Sequence, residues 1–372
     1  MGEEGMPTKH RDQLGDQFGD RLGVLLIGAG AFGTRRAQAV LSNPRGMLVA
    51  VADPVLKRAR ALAEPAGAFP LADWRDALRL TDIDVAIVAT STAVAPEISL
   101  AILEAGKHVL VEKPFGRNAD EVLPALEAAR LHERLLKVGY NHRYHPALAK
   151  AHELFRAGAV GRLLHLRCTY GHGGRPGYEQ EWRSRPEISG GGELLDQGVH
   201  ALDLFRWFAG EFSQAAAFVA TSYWPIAPVE DNVFAMLRTR EGVIAQLHAS
   251  WTRWKNKFSF EVTGELGTLI AEGLGRSYGP ERLILQMRAK AGGAPSETCF
   301  DFPAQDDSLA REWDDFLNAI RDVREPMSSG EDAWRTLELV DALYESARHS
   351  RIVELQPAAK PATTAHAAGA IS

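Results

Sequence analysis

Two short motifs carry side chains that could move protons. The segment Glu112-Lys113-Pro114 directly follows the apolar run 108–111, so a predicted strand ends just before the lysine. Asp196 and His200 are four residues apart in a segment with helical character, which would place both side chains on one helix face. A carboxylate beside an imidazole fixes the orientation and tautomer of the ring. We interpret these residues as acid/base candidates; the alternatives are a surface lysine and an exposed Asp/His pair.

A glycine motif lies between an apolar run and a helical stretch near the start of the chain. Residues 22–27 form a continuous apolar run that ends at Gly28, and the segment GAGAFG at 28–33 leads into a helix-compatible stretch. In a strand–turn–helix unit the first glycine permits the tight turn, the second lets a pyrophosphate approach the backbone, and the third lets helix and strand pack closely. The motif therefore predicts dinucleotide binding at a helix N-terminus; the alternative is a tight turn without a ligand.

Polar residues at the ends of other apolar runs extend this predicted cofactor site. Asp53 follows the run 47–52, where its carboxylate can bind ribose hydroxyls and would repel a 2′-phosphate. This favours NAD over NADP, and the alternative for Asp53 is a turn or cap residue before Pro54. The predicted cofactor contacts in these segments are Gly28, Gly30, Ala31, Phe32, Gly33, Asp53, Thr90, Ser91, Glu112 and Lys113.

The first part of the chain alternates between predicted strands and helices. Apolar runs are separated by helical stretches and lie at 22–27, 47–52, 84–90, 108–111 and 136–140. Such alternation is typical of a doubly wound parallel sheet with right-handed crossovers. We therefore predict an α/β Rossmann domain over residues 21–143, with ligands bound at the carboxyl ends of its strands.

The pattern changes after residue 143. A helix over 146–157 is followed by six predicted strands between residues 163 and 272, joined mostly by hairpin-like turns. Further helices are predicted at 193–208, 308–321 and 329–349. This part is predicted to be an α+β domain, residues 144–355, with a large, mostly antiparallel, open-faced sheet. Residues 1–20 and 356–372 lack periodicity and are predicted to be flexible tails.

Composition and charge argue against several functional classes. The formal net charge of −6 lacks the basic excess of nucleic-acid-binding proteins. No stretch of the sequence has the apolar length that a membrane span needs. Cys168 and Cys299 are far apart and show no metal-ligand spacing, so we expect a reducing, cytoplasmic location and no metal site.

A long glycine-rich loop at 171–183 precedes the Asp196–His200 segment and is a candidate substrate-binding element. Arg175 and Arg183 could bind a carboxylate or phosphate, and Trp182 could stack on a sugar ring. This would favour a sugar acid or a nucleotide-linked sugar. The alternative is a structural loop whose arginines pair with the nearby acidic residues at 179 and 181.

Three segments, in this order, carry a family resemblance: GAGAFG at 28–33, AGKHVLVEKPF at 105–115 and GGGELLDQGVHALDLFRWFAG at 190–210. They resemble the glucose–fructose oxidoreductase/inositol dehydrogenase/rhizopine-catabolism (Gfo/Idh/MocA) family over roughly residues 22–355. The resemblance implies that Lys113 and His200 flank the reacting carbon and that Asp196 supports them. It also implies a cofactor contact for Asn141, a substrate contact for Arg143, and a homodimer or homotetramer formed through the C-terminal sheet.

Motifs and resemblance together predict an enzyme, an NAD(P)-dependent oxidoreductase that acts on CH–OH groups. Hydride would move between a nicotinamide cofactor and a secondary hydroxyl or ketone of a sugar, cyclitol or sugar derivative, with proton transfer through Lys113 or His200. Two alternatives share the fold: a glycosidase that uses tightly held NAD without net redox change, and a non-catalytic NAD-binding regulator. A regulator need not retain the Lys/His pair, and this chain has both residues.

Overall fold

The computed structural model describes residues 21–356, and its N-terminal part is a parallel α/β unit. Its strands run in the order β3-β2-β1-β4-β5-β6, and every pairing is parallel. The strands are β1 (Leu22–Ile27), β2 (Gly46–Ala52), β3 (Phe69–Leu71), β4 (Val85–Val88), β5 (His108–Val111) and β6 (Leu136–Val138), and the helices are α1 (Ala31–Leu41), α2 (Leu56–Ala63), α3 (Ala95–Glu104) and α4 (Leu123–Leu131). The predicted doubly wound sheet is confirmed.

The C-terminal part is built on one nine-stranded sheet in the order β14-β13-β12-β11-β7-β10-β9-β8-β15. Its helices are α5 (Pro146–Arg156), α6 (Pro186–Ser189), α7 (Val199–Ala209), α8 (Ser308–Arg321) and α9 (Gly330–His349), and its strands are β7 (Leu163–Gly171), β8 (Phe212–Ala220), β9 (Asn232–Thr239), β10 (Ile244–Ser250), β11 (Lys257–Gly264), β12 (Gly267–Glu272), β13 (Glu281–Met287), β14 (Ser296–Phe302) and β15 (Val353–Glu354). Only β7 and β10 pair in parallel, so the predicted antiparallel character is also confirmed.

The large sheet is covered on one face and open on the other. Alternating residues of β9, such as Val233 and Leu237, are buried, as the period of two along a strand requires. The side chains between them are exposed: Phe234 by 52% and Met236 by 45%, with Phe218 of β8 exposed by 79%. The predicted open face is therefore present and carries large apolar side chains.

Helix α8 crosses the boundary that the sequence suggested between the two parts. Its Trp313, Phe316 and Leu317 are buried in one cluster with Val24 and Leu26 of β1. The helix follows the C-terminal sheet in sequence, but it covers one face of the N-terminal sheet. Segment boundaries along the chain consequently differ from the packing units in space.

Four strands were not predicted from the hydrophobic periodicity of the sequence. Strand β3 has only three residues and contains Pro70, which is tolerated because β3 is an edge strand. Strands β13, β14 and β15 were also not predicted.

The predicted tails lie outside the described residues except for Gln356. No helix within residues 21–356 is long and apolar enough to cross a membrane.

Candidate active site

A cleft of about 850 Å³ lies at the carboxyl ends of the N-terminal strands. It brings together segments that are far apart in sequence, including the glycine loop, the residues after β2, β4 and β5, the loop at 182–183, and Asp196. The predicted site residues that line it are Gly28, Gly30, Ala31, Phe32, Asp53, Thr90, Ser91, Glu112, Lys113, Trp182, Arg183 and Asp196.

The three glycines of the loop are required for different reasons. Gly28 has φ +95°, and a Cβ there would lie 2.3 Å from the carbonyl oxygen of Ala89. A Cβ on Gly33 would lie 1.9 Å from the carbonyl oxygen of Gly28, so only glycine allows α1 to pack this closely. A Cβ on Gly30 would meet nothing within 4 Å. The protein itself therefore does not require glycine at position 30, whereas a ligand seated on the loop would.

The first turn of α1 provides backbone donors to the same space. Gly30 is the N-cap of α1 and has no side chain to cap the helix. The amides of a first helical turn have no acceptor within the helix and attract anions. Free amides beside a position open to Cβ fit the pyrophosphate of a dinucleotide.

Asp53 takes the turn role that its sequence position offered as the alternative. Its Oδ2 accepts a hydrogen bond from the amide of Ala29 and its Oδ1 accepts one from the amide of Val55, both at 2.8 Å. The carboxylate thus ties the glycine loop to the turn after β2, as a turn residue would. It also lines the cleft, where the second lone pair of each oxygen is left for a ligand hydroxyl.

Glu112 lines the cleft and is held in a buried ion-pair network. It accepts a hydrogen bond from Arg36 Nε, and the same guanidinium lies 2.6 Å from Glu312 of α8. Burial raises the pKa of Glu112, although the charge of Arg36 opposes that shift. Because Glu112 directly precedes Lys113, this network fixes the backbone from which the lysine extends into the cleft.

Lys113 is paired with Asp196 across the cleft. Its Nζ donates to the backbone carbonyl of Asp196 at 2.5 Å and lies 3.2 Å from Asp196 Oδ1. Arg183 Nε lies 3.7 Å from Asp196 Oδ2. Burial favours a higher pKa for Asp196, but the positive charges of Lys113 and Arg183 outweigh it and leave the pKa below its ordinary value. Asp196 is therefore an anion that orients Lys113.

The predicted pairing of Asp196 with His200 is wrong. The segment Leu194–Gly198 is a π-helix, and the α-helix begins only at Val199, so the regular spacing that the prediction assumed is interrupted. The ring of His200 stacks instead on His142, with ring centroids 3.9 Å apart. Burial lowers the pKa of His200 well below its ordinary value, and His142 and Lys113 lower it further.

Two residues implied by the family resemblance lie behind the cleft. Asn141 is buried and donates from Nδ2 to Ser308 Oγ at 2.8 Å. Arg143 is 5% exposed, with its Nη2 2.6 Å from Asp203 Oδ1 and its Nη1 3.2 Å from Asp332. The expectation that Arg143 contacts substrate is corrected, because both carboxylates already occupy its guanidinium inside the protein. Its placement indicates a structural ion pair.

The substrate loop divides between the cleft and the surface. Trp182 and Arg183 line the cleft, and the Arg183 guanidinium lies 4.6 Å from the centre of the Trp182 ring. Arg175 lies outside the cleft lining and makes two hydrogen bonds of 2.6 Å to Glu181. For Arg175 the structural alternative is therefore the better description.

Two buried residues near the site were not singled out from the sequence. His142 contacts His200, and Glu193 is fully buried with neither carboxyl oxygen hydrogen-bonded to a described residue. Burial, with Asp196 next, holds the pKa of Glu193 well above its ordinary value. Neither position stands out in the periodicity, because burial of a single polar residue leaves no local pattern.

Comparison with known proteins identifies the family. Residues 22–140 match the model of the GFO/IDH/MocA oxidoreductase family with an NAD-binding Rossmann fold, and residues 148–270 match a GFO/IDH/MocA C-terminal domain. A 1,5-anhydro-D-fructose reductase of Ensifer adhaerens is 31% identical over 74% of this chain and 80% of its own length. The chain belongs to the GFO/IDH/MocA family. The predicted NAD(P)-dependent oxidoreductase is confirmed at this level.

Other members of the GFO/IDH/MocA family resemble the chain over similar lengths. A levoglucosan dehydrogenase of Pseudarthrobacter phenanthrenivorans is 30% identical over 67% of this chain and 73% of its own length. A solved structure of levoglucosan dehydrogenase, in complex with NADH and levoglucosan, superposes with a TM-score of 0.83 at 26% identity. It covers 90% of this chain and 99% of the solved chain.

Proposed function

We propose that this protein transfers hydride between NAD and a secondary hydroxyl or ketone of a sugar, cyclitol or sugar derivative. The observation that carries the proposal is the Lys113–Asp196 pair in the same cleft as the glycine loop. A proton-transferring group thus lies beside the place that fits a dinucleotide. The dehydrogenases and reductases of small carbohydrates among the relatives support this substrate class.

Lys113, Asp196 and His200 have different roles in the proposed reaction. Bound NAD would supply the hydride acceptor. Lys113 exchanges the proton of the reacting hydroxyl, and Asp196 holds the lysine Nζ in place through its carbonyl and carboxylate. Burial holds the pKa of His200 well below its ordinary value, so the ring is neutral, and its proposed role is to hydrogen-bond the same hydroxyl through a ring nitrogen.

The cofactor preference is part of the proposal. The Asp53 carboxylate lies in the cleft at the end of β2, where it would accept ribose hydroxyls and repel a 2′-phosphate. We therefore propose NAD as the preferred cofactor. The cofactor contacts predicted from the sequence remain proposed, except that of Asn141. Asn141 is buried and bonded to Ser308, which favours a role in holding the site together over a direct contact.

A panel assay tests the proposed reaction. Purified protein would be incubated with NAD⁺ or NADP⁺ and with sugars, cyclitols, sugar acids and nucleotide sugars, and the absorbance of the reduced cofactor would be followed. We expect one substrate class to reduce NAD⁺ with a higher kcat/KM than NADP⁺. Bound NAD that no substrate reduces, combined with cleavage of glycosides, would replace the proposal by the redox-neutral glycosidase. Binding without any turnover would favour the regulator.

Arg183 and Arg175 form a matched pair for testing substrate contact. Arg183→Ala should raise KM for the substrate by about tenfold, because a charge-assisted hydrogen bond contributes about 1.5 kcal/mol or more. Arg175→Ala should leave KM nearly unchanged, since Arg175 already pairs with Glu181 at the surface. Steady-state kinetics with the substrate found in the panel measures both. Equal KM values for wild type and Arg183→Ala would remove Arg183 from the substrate site.

The open face of the C-terminal sheet supports a proposed homodimer or homotetramer. Phe218, Phe234 and Met236 form an exposed apolar surface there, and such surfaces usually mark contact sites. Light scattering that gave the mass of one chain would contradict this assembly. The cytoplasmic location expected from the sequence stays a prediction.

A further inference from the structure

The orientation of the His200 ring needs an explanation, because the carboxylate that was expected to set it is engaged elsewhere. Asp196 pairs with Lys113 and Arg183. His200 is 4% exposed, and its Nδ1 has no hydrogen-bond partner among the described residues. A buried ring that is to present the same nitrogen to a substrate must nevertheless hold one orientation.

Stacking on His142 provides that restraint. The two imidazoles are nearly parallel, with an interplanar angle of 23° and a centroid separation of 3.9 Å. The edge of Tyr140 closes another side of His200, with ring centroids 6.0 Å apart. These faces limit rotation of the His200 ring without any hydrogen bond to it.

The ring of His142 is itself fixed at both nitrogens. Nδ1 lies 3.3 Å from Asn141 Oδ1, and Nε2 lies 3.1 Å from the hydroxyl of Tyr170. The amide oxygen can only accept, so Nδ1 carries the proton and Nε2 accepts from Tyr170. Asn141 is in turn anchored to Ser308 at the start of α8. The ring of His142 is thus a rigid, neutral platform.

We propose that His142 is a positioning residue, which holds the His200 ring by stacking on its face. Protonation of His200 would place a charge against the face of His142 and near other cationic or titratable groups. The groups that face His200 are Lys113, His142, His145, Tyr140 and Tyr170. The inference rests on the proposed role of His200 at the reacting hydroxyl.

Kinetics of a double-mutant cycle tests the positioning role. His142→Ala should lower kcat by about 10- to 100-fold with little change in KM for NAD, because misplacing a catalytic group costs rate more than cofactor binding. In a His200→Ala background the same substitution should have almost no further effect. His142→Phe keeps an aromatic face and should recover most of the loss. Independent, multiplying losses from His142→Ala and His200→Ala would overturn the proposal.

A substrate-free measurement separates this inference from the proposed reaction. Imidazole NMR of the full chain labelled with ¹⁵N-histidine would follow the titration of His200, assigned by the signal missing in His200→Ala. His142→Ala should raise the pKa of His200, because it admits water and removes a neighbouring imidazole. The fall of kcat on the acidic side of its pH profile should then move to higher pH. An unchanged titration in both His142→Ala and His142→Phe would overturn the proposal, whatever the substrate.

His152→Ala is the matched control. His152 of α5 also stacks on an aromatic ring, that of Trp207, with centroids 3.8 Å apart and an interplanar angle of 10°. Its ring contacts are with Trp207 and Phe208 and not with His200. We expect its replacement to leave kcat and the His200 titration unchanged, so that an effect of His142→Ala cannot be assigned to the loss of any stacked histidine. A loss of kcat in His152→Ala equal to that in His142→Ala would count against the proposal.

Discussion

Replacing Lys113 by methionine should lower kcat by about 10²- to 10⁴-fold, the range that a positioned acid/base group contributes. Methionine keeps an unbranched apolar chain but cannot exchange a proton. The Nζ of Lys113 is held 3.2 Å from Asp196 Oδ1, so the group is already oriented before a substrate arrives. Steady-state kinetics with the substrate from the panel assay measures the loss.

NAD binding and a second lysine provide the controls. Lys113→Met should still bind NAD through the intact glycine loop, with a loss of affinity far smaller than the loss of kcat. Lys150→Met should keep full kcat, since Lys150 is on α5 and pairs with Glu153 at 2.7 Å away from the cleft. If Lys113→Met turned over within about twofold of wild type, Lys113 would not be the proton-exchanging group, and His200 would take that role.

Replacing Gly30 by alanine should affect cofactor binding, whereas replacing Gly33 by alanine should affect stability. Gly30→Ala should weaken NAD binding by about 30-fold, the equivalent of about 2 kcal/mol, because its Cβ occupies space next to the first-turn amides. Its stability should change little, since that Cβ meets no protein atom within 4 Å and Gly30 has an ordinary φ of −74°. Calorimetric titration with NAD and a thermal melt measure the two effects.

Gly33→Ala should instead destabilise the fold. Its Cβ would lie 1.9 Å from the carbonyl oxygen of Gly28, so α1 must move away from β1 at a cost of about 3 kcal/mol. The melting temperature should fall clearly even without cofactor. A Gly30→Ala protein that bound NAD as wild type does would contradict the seating of the pyrophosphate on this loop.

Much of the N-terminal fold could be predicted because its signals are local. Strand β1 and the glycines that follow it are contiguous, and their conformational needs arise within a few residues. Buried parallel strands read as apolar runs, which located β2, β4 and β5 well. Strand β3 was missed because three residues carry no periodicity, and its Pro70 is unfavourable in an interior strand.

The sequence predicted which residues lie in the candidate site better than it predicted which of them contact each other. Lys113, Asp53 and the glycines were found because each follows an apolar run that ends at the same sheet edge. The spacing of Asp196 and His200 suggested a pair, but the π-helix between them and the charge of Lys113 gave Asp196 a different partner. A charged lysine attracts a carboxylate more strongly than a neutral imidazole does, and spacing along a helix contains no information on that competition.

By itself the sequence determined the two-part architecture, the dinucleotide loop and the identity of the proton-exchanging candidates, because periodicity and backbone requirements are written into neighbouring residues. The tertiary structure alone decided that Asp196 orients Lys113, that His142 stacks on His200, that Arg143 is an internal ion-pair partner, and that α8 covers the N-terminal sheet. The physical reason is that such contacts join residues distant in sequence. Their outcome depends on which charges and rings the packed chain brings within a few ångströms of one another.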